Sequence, residues 1–153
     1  MGLSVDMGLH WDADMAPVQA LRLLVDRFGF QWGDDTQLMG PALWIWSLEL
    51  DPESQLLFEQ DFHFRPRLMV GFRLNPNRAE YVEGHRAVLR AALLLLEHGR
   101  DGVLLLQGEH IVLQRIGGAL TLNADRGNWT DGLQLEKEIT VPHTIRSLPS
   151  PLL

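Results

Sequence analysis

The chain has 153 residues, 46% of them apolar, and no cysteine. That length and composition fit one domain with a single sizeable core, and exclude a disordered chain, a disulfide scaffold and thiol chemistry. Thirteen basic against twenty acidic residues give a formal charge of −7, which disfavours nucleic acid and anionic membrane as partners and suits a basic protein surface.

Met1 to Asp6 lacks the basic and apolar regions of a signal peptide, and the longest apolar run, Ala91 to Leu96, is far too short to span a membrane. A cytoplasmic protein is therefore expected. Leu3 to Leu9 alternates apolar Leu3, Val5, Met7 and Leu9 with Ser4, Asp6 and Gly8, which predicts a half-buried strand. Asp12 or Asp14 then caps a helix over 15–28, with Val18, Leu21, Leu24, Val25 and Phe28 apolar and Gly29 at its end. Residues 30–42 hold Gly33, Asp34, Asp35, Gly40 and Pro41 and read as a loop. Leu43 to Leu50 is the next strand, with Trp44, Trp46, Leu48 and Leu50 on the inward face.

Asp51-Pro52-Glu53-Ser54 has the residues of a type I turn. Gln55 to Phe64 then returns as a strand with Phe58, Phe62 and Phe64 inward. Arg65-Pro66-Arg67 breaks the chain. Leu68 to Leu74 follows, with Leu68, Val70, Phe72 and Leu74 inward. The spacing of Tyr81, His85, Val88, Leu89, Ala92, Leu95 and Leu96 predicts a helix over 77–98, with Asn77 as N-cap and Gly99 at its end. Three short strands complete the reading: 103–106, 110–116 and 119–123, joined by turns at Gly108-Glu109 and Gly117-Gly118. Gln134 to Val141 is a candidate edge strand, and 148–153 a loose tail.

The expected architecture is α+β, a single domain over 1–147. A mainly antiparallel sheet of about six to eight strands carries two long helices on one face. The element order is strand, helix, three strands, helix, three strands. The predicted core is Val5, Leu21, Val25, Trp46, Phe62, Val70, Phe72, Leu89, Leu96, Leu105 and Leu113.

Four groups of residues carry potential chemistry. Glu59, Asp61, His63 and Arg65 share one strand face at period two, and Asp61 with His63 has the makings of an acid–base pair. A solvated strand face explains the same pattern more simply. The six histidines stand at 10, 63, 85, 98, 110 and 143 and form no H-x-H or H-E-x-x-H spacing, so neither a metal nor a cofactor is indicated. His85 falls on the apolar helix stripe and reads as a core histidine. Among the tryptophans, Trp44 and Trp46 suit a core, whereas Trp32 and Trp129 lie in loop-like contexts and suit recognition. The carboxylates mostly sit at caps and turns. Asp34 and Asp35 next to Trp32, and Asp131 next to Trp129, could still form an acidic rim that attracts cations. The candidate partner-binding residues are therefore Trp32, Asp34, Asp35, Trp129 and Asp131, and no catalytic residue is assigned.

One stretch carries a resemblance. Val70-Gly71-Phe72-Arg73-Leu74-Asn75, Ala87-Val88-Leu89-Arg90, the run from Leu95 to Gly108 and His110 to Arg115 resemble the Sit-type immunity proteins, third family, of bacterial toxin systems. The match is close over 70–123 and looser over 1–30. Gln107 stands where that family favours asparagine, and the family's aromatic, basic ending is missing here. The resemblance implies a small cytoplasmic protein that binds and neutralises a cognate toxin without catalysis. It carries over no contact residues. Two readings stand: an interaction protein of this kind, homo-oligomeric or not, or a small α+β enzyme or ligand-binding domain whose site is assembled from distant carboxylates and histidines.

Overall fold

The computed structural model describes residues 4–125 and 139–148. In chain order these form β1 (Val5–Trp11), α1 (Pro17–Phe28), β2 (Gln31–Asp34), β3 (Gln37–Gly40), β4 (Leu43–Glu49), α2 (Pro52–Phe62), β5 (Leu68–Leu74), α3 (Tyr81–Glu97), β6 (Gly102–Leu106), β7 (His110–Ile116), β8 (Ala119–Asn123) and β9 (Thr144–Arg146). All the strands join one sheet in the order β2-β3-β4-β5-β1-β6-β7-β8-β9. Each neighbouring pair is antiparallel except β8 and β9, which run parallel. The class is α+β, as the segregated strand and helix patterns predict.

The N-terminal strand lies in the middle of the sheet, between β5 and β6. Its alternation places Met7, Leu9 and Trp11 in the main core on one face. Helices α1 and α3 cover that face: Ala20, Leu21 and Leu24 come from α1, and Val88, Leu89, Ala92 and Leu95 from α3. Ile45 of β4 and Val70, Phe72 and Leu74 of β5 complete this core. A smaller cluster lies on the opposite face, where Phe62 and Phe64 meet Val103, Leu105, Ile111 and Leu148, with Phe58 packed against it. Leu148 is thus packed at the point where a loose tail was expected. Its N–H donates to Asn123 Oδ1 at 3.0 Å.

Three expectations are corrected. Residues 52–62 form helix α2, not a strand. Asp51 and Pro52 start a helix here: Asp51 Oδ1 accepts from the Ser54 N–H at 2.7 Å, and Pro52 occupies the first turn. Only one side of α2 is packed, through Phe58 and Phe62, and Leu56 and Leu57 are exposed. That thin stripe hides the helical period. Residues 31–40, read as a loop, form the hairpin β2–β3. On β4 the inward face is inverted: Leu43 and Ile45 are buried, while Trp44 and Leu48 are exposed and Trp46 is half-buried. Of the predicted core, Leu21, Phe62, Val70, Phe72, Leu89, Leu96, Leu105 and Leu113 are buried, and Val5, Val25 and Trp46 only partly so. The candidate edge strand at 134–141 falls mostly outside the described residues, and the strand beyond β8 is β9, at 144–146.

Helix α3 begins at Tyr81, four residues later than Asn77, because the Asn77 N–H donates to Asn75 Oδ1 at 3.0 Å in a local turn. The Gly117-Gly118 turn has φ of 59° and 82°, the paired left-handed conformation that a two-residue hairpin needs. Gly84 lets α3 lie close against β5 and the turn between β3 and β4. A Cβ there would lie 2.6 Å from Leu74 Cδ2 and 2.8 Å from the Pro41 carbonyl oxygen. Helix propensity favours Gly84→Ala by about 1 kcal/mol, but overpacking against backbone costs about 1 to 3 kcal/mol. The expected result is net destabilisation, read as a lower urea midpoint at unchanged m-value; a rise in the midpoint would show that the helix shifts freely.

Candidate partner-binding surface

The hairpin brings three of the sequence-predicted residues together at one edge of the sheet. Asp34 ends β2, and its Oδ1 accepts from the Thr36 N–H at 2.7 Å and the Thr36 hydroxyl at 2.8 Å. These bonds close the turn and hold the Asp34 carboxyl below its ordinary pKa. Asp34 and Asp35 are exposed. Trp32 is 40% exposed and borders a shallow depression with Val18, Arg22, Asp34 and Asp35. Trp129 and Asp131 lie outside the described residues. The proposed acid–base face at 59–65 does not form as a strand. Glu59 instead pairs with Arg65 at 3.1 Å across the end of α2, and His63 caps that helix in a left-handed conformation, φ 64°.

A larger surface lies where sequence reasoning placed core. On the face opposite α1 and α3, strand register aligns side chains in rows. One row runs Met39, Trp44, Arg73, Asp6. The next runs Gln37, Trp46, Gly71, Gly8. Helix α2 covers this face only over β1, β6 and β7, where His10 stacks on Phe58 at 4.7 Å. Among the described residues, no helix covers this face towards β3, β4 and β5. The Trp46 ring lies across Gly71, so close that a Cβ there would meet it at 2.2 Å. The Arg73 guanidinium sits 5.6 Å from the Trp46 ring centroid and grips Asp6 through two hydrogen bonds, 2.9 and 3.2 Å. The sequence shows a glycine, Gly71, inside an apolar strand, the usual mark of a close approach; that Trp46 makes the approach is set by the pairing of β4 with β5.

Among the described residues, no three His, Asp or Glu side chains gather as metal ligands. No helix among them is long and apolar enough to cross a membrane. The fold is thus an α+β domain that presents an aromatic and acidic surface. A family model described as SitI3-like matches residues 6–133, and the chain belongs to that family of Sit-type immunity proteins. No curated protein and no solved structure matches significantly.

The two inner histidines stand on opposite sides of the sheet and do not converge. His85, 1% exposed, lies on α3 with its ring edge-on to Tyr81 at 4.4 Å. Burial lowers its pKa to about 4. His10 is also lowered to about 4, by burial partly offset by a backbone hydrogen bond with Gly8. Both are neutral in the fold at pH 7. An unfolded histidine takes its proton near pH 6.5, so stability is complete above that value and is lost as pH falls towards 4. At pH 4.5 the His85 contribution to that loss is about 2 to 3 kcal/mol. Urea unfolding between pH 7.5 and 4.5 should show the decline, and His85→Gln should flatten it. An unchanged slope in the variant would place the pH dependence elsewhere.

Proposed function

We propose that this protein binds a cognate toxin and neutralises it by stoichiometric occlusion, with no catalytic step of its own. Membership of the SitI3-like family carries this reading. The charge of −7 supports a partner with a basic surface. The acidic hairpin with Trp32, Asp34 and Asp35 belongs to the contact surface, together with Trp129 and Asp131. Exposed turn carboxylates steer a basic partner into encounter and act on association more than on final affinity.

The test is association kinetics with the purified product of the gene beside this one, taken as the candidate toxin. Asn at position 34 keeps the oxygen that accepts from Thr36, so Asp34→Asn preserves the turn while removing its charge. The double substitution Asp34→Asn with Asp35→Asn should slow association about tenfold at low salt and much less at high salt. Trp32→Ala should instead speed dissociation. Absence of a complex at micromolar concentration, or binding indifferent to salt and to all three changes, would refute the proposal.

A further inference from the structure

The open half of the sheet face stands apart from the hairpin turn in chemistry. Met39, Trp44 and Leu48 are 38%, 43% and 39% exposed, and the register places them on one face beside the half-buried Trp46. Single exposed apolar residues need no explanation, but a contiguous group of four with two indoles does. Trp46 is fixed flat by the glycine beneath it, and Trp44 lies one row along the same strand. The patch is therefore preorganised by sheet pairing on both sides of β4.

Its electrical setting selects the occupant. Among the side chains that the register places on this face from β2 to β1, the one cation is Arg73, and Asp6 holds it. Asp34 pairs with Gln37 at the hairpin end of the Trp46 row, and Asp51 and Glu53 follow where β4 runs into α2. A second copy of this chain would bring the same carboxylates against themselves, and a phosphate-bearing partner would meet the same repulsion. The contact inside the patch shows what its rings accept: a guanidinium lies over Trp46.

We propose that this open face, centred on Trp44 and Trp46, is the toxin-docking surface, and that it takes a basic segment of the toxin whose Arg or Lys side chain lies over the Trp44 ring. The inference rests on the toxin-binding reading and gives it an anchor. The hairpin carboxylates govern encounter; the indoles govern residence.

The experiment measures binding of the purified product of the adjacent gene, taken as the candidate toxin, to the full chain and to three variants, with thermal unfolding as the control for folding. Trp44→Ala should weaken binding about thirty-fold, mainly through faster dissociation, the size of a hot-spot truncation. Trp44→Lys should weaken it further, because it sets a cation against the incoming one. Val82→Ala alters a similarly exposed side chain on α3, on the other side of the sheet, and should change nothing. Wild-type binding with Trp44→Ala and Trp44→Lys both equally tight would overturn the docking surface and leave the immunity reading standing. No binding by the wild type would overturn both. Sedimentation of the chain alone gives the remaining outcome: a dimer dispersed by Trp44→Lys would assign the face to a second copy and overturn the proposal.

Discussion

Nine strands spaced by roughly 4.8 Å make a sheet about 40 Å wide, whereas one helix covers about 10 Å. Among the described residues, two helices, α1 and α3, lie on the first face, and one helix of 11 residues, α2, lies on the second. This mismatch of width and cover shapes the molecule. The main core forms where α1 and α3 meet the centre of the sheet, and there β1 must enter between β5 and β6. The small cluster under α2 closes the second face near β6 and β7. What the described helices leave over, from β3 to β5, carries the exposed Met39, Trp44 and Leu48.

Stability alone does not account for the chemistry of that remainder. Three of the surface ion pairs, Arg73 with Asp6, Arg67 with Asp14 and Arg65 with Glu59, join well-exposed side chains. Such pairs contribute little to folding. Leaving two-fifths of the Trp44 surface in water forgoes on the order of 2 kcal/mol of burial. A threonine or glutamine would fit the same strand position without that loss. The Arg73–Trp46 contact, by contrast, orders a guanidinium on a fixed ring, which is a property of recognition surfaces.

The parts of the fold legible in the sequence are those with one dominant signal. The stripe of α3 shows a 3.6 period and every stripe residue from Val88 to Leu96 is buried. The strands β6 to β8 are joined by two glycine turns, one at Gly108 and one at Gly117-Gly118, all three glycines with positive φ. Reading fails where two signals compete. On β4, Leu43 and Ile45 alternate with Trp44, Trp46 and Leu48, so both faces are apolar and volume favoured the wrong one. Pairing decides it: Ile45 meets Phe72 and Ser47 meets Val70, which are core residues of β5. Phe58 and Phe62 of α2 and Phe64 just beyond it mimic a strand's even spacing, while a cap at Asp51 that resembles a turn hides the helix start. The hairpin β2–β3 has strands of four residues with only Leu38 buried, too little periodicity to register. For the same reason the acidic turn was found by its composition, whereas the indole rows, which exist only through pairing between β3, β4, β5 and β1, were not.

Both edges of the sheet argue that its flat face, rather than its rims, is available for docking. Strand addition needs a long, regular edge. β2 has four residues, a register shift between Trp32 and Asp34, and two carboxylates at its turn. β9 has three residues. Each is too short to template a stable added strand. The face between them is different in kind. Its backbone hydrogen bonds are already satisfied within the sheet, so a partner there meets side chains only, and side chains set in fixed rows. Binding to such a surface orders few new torsions in this protein, which leaves more of the contact energy as affinity. A rigid aromatic platform beside an acidic turn therefore divides recognition between two physical terms, one that acts at a distance and one that acts on contact.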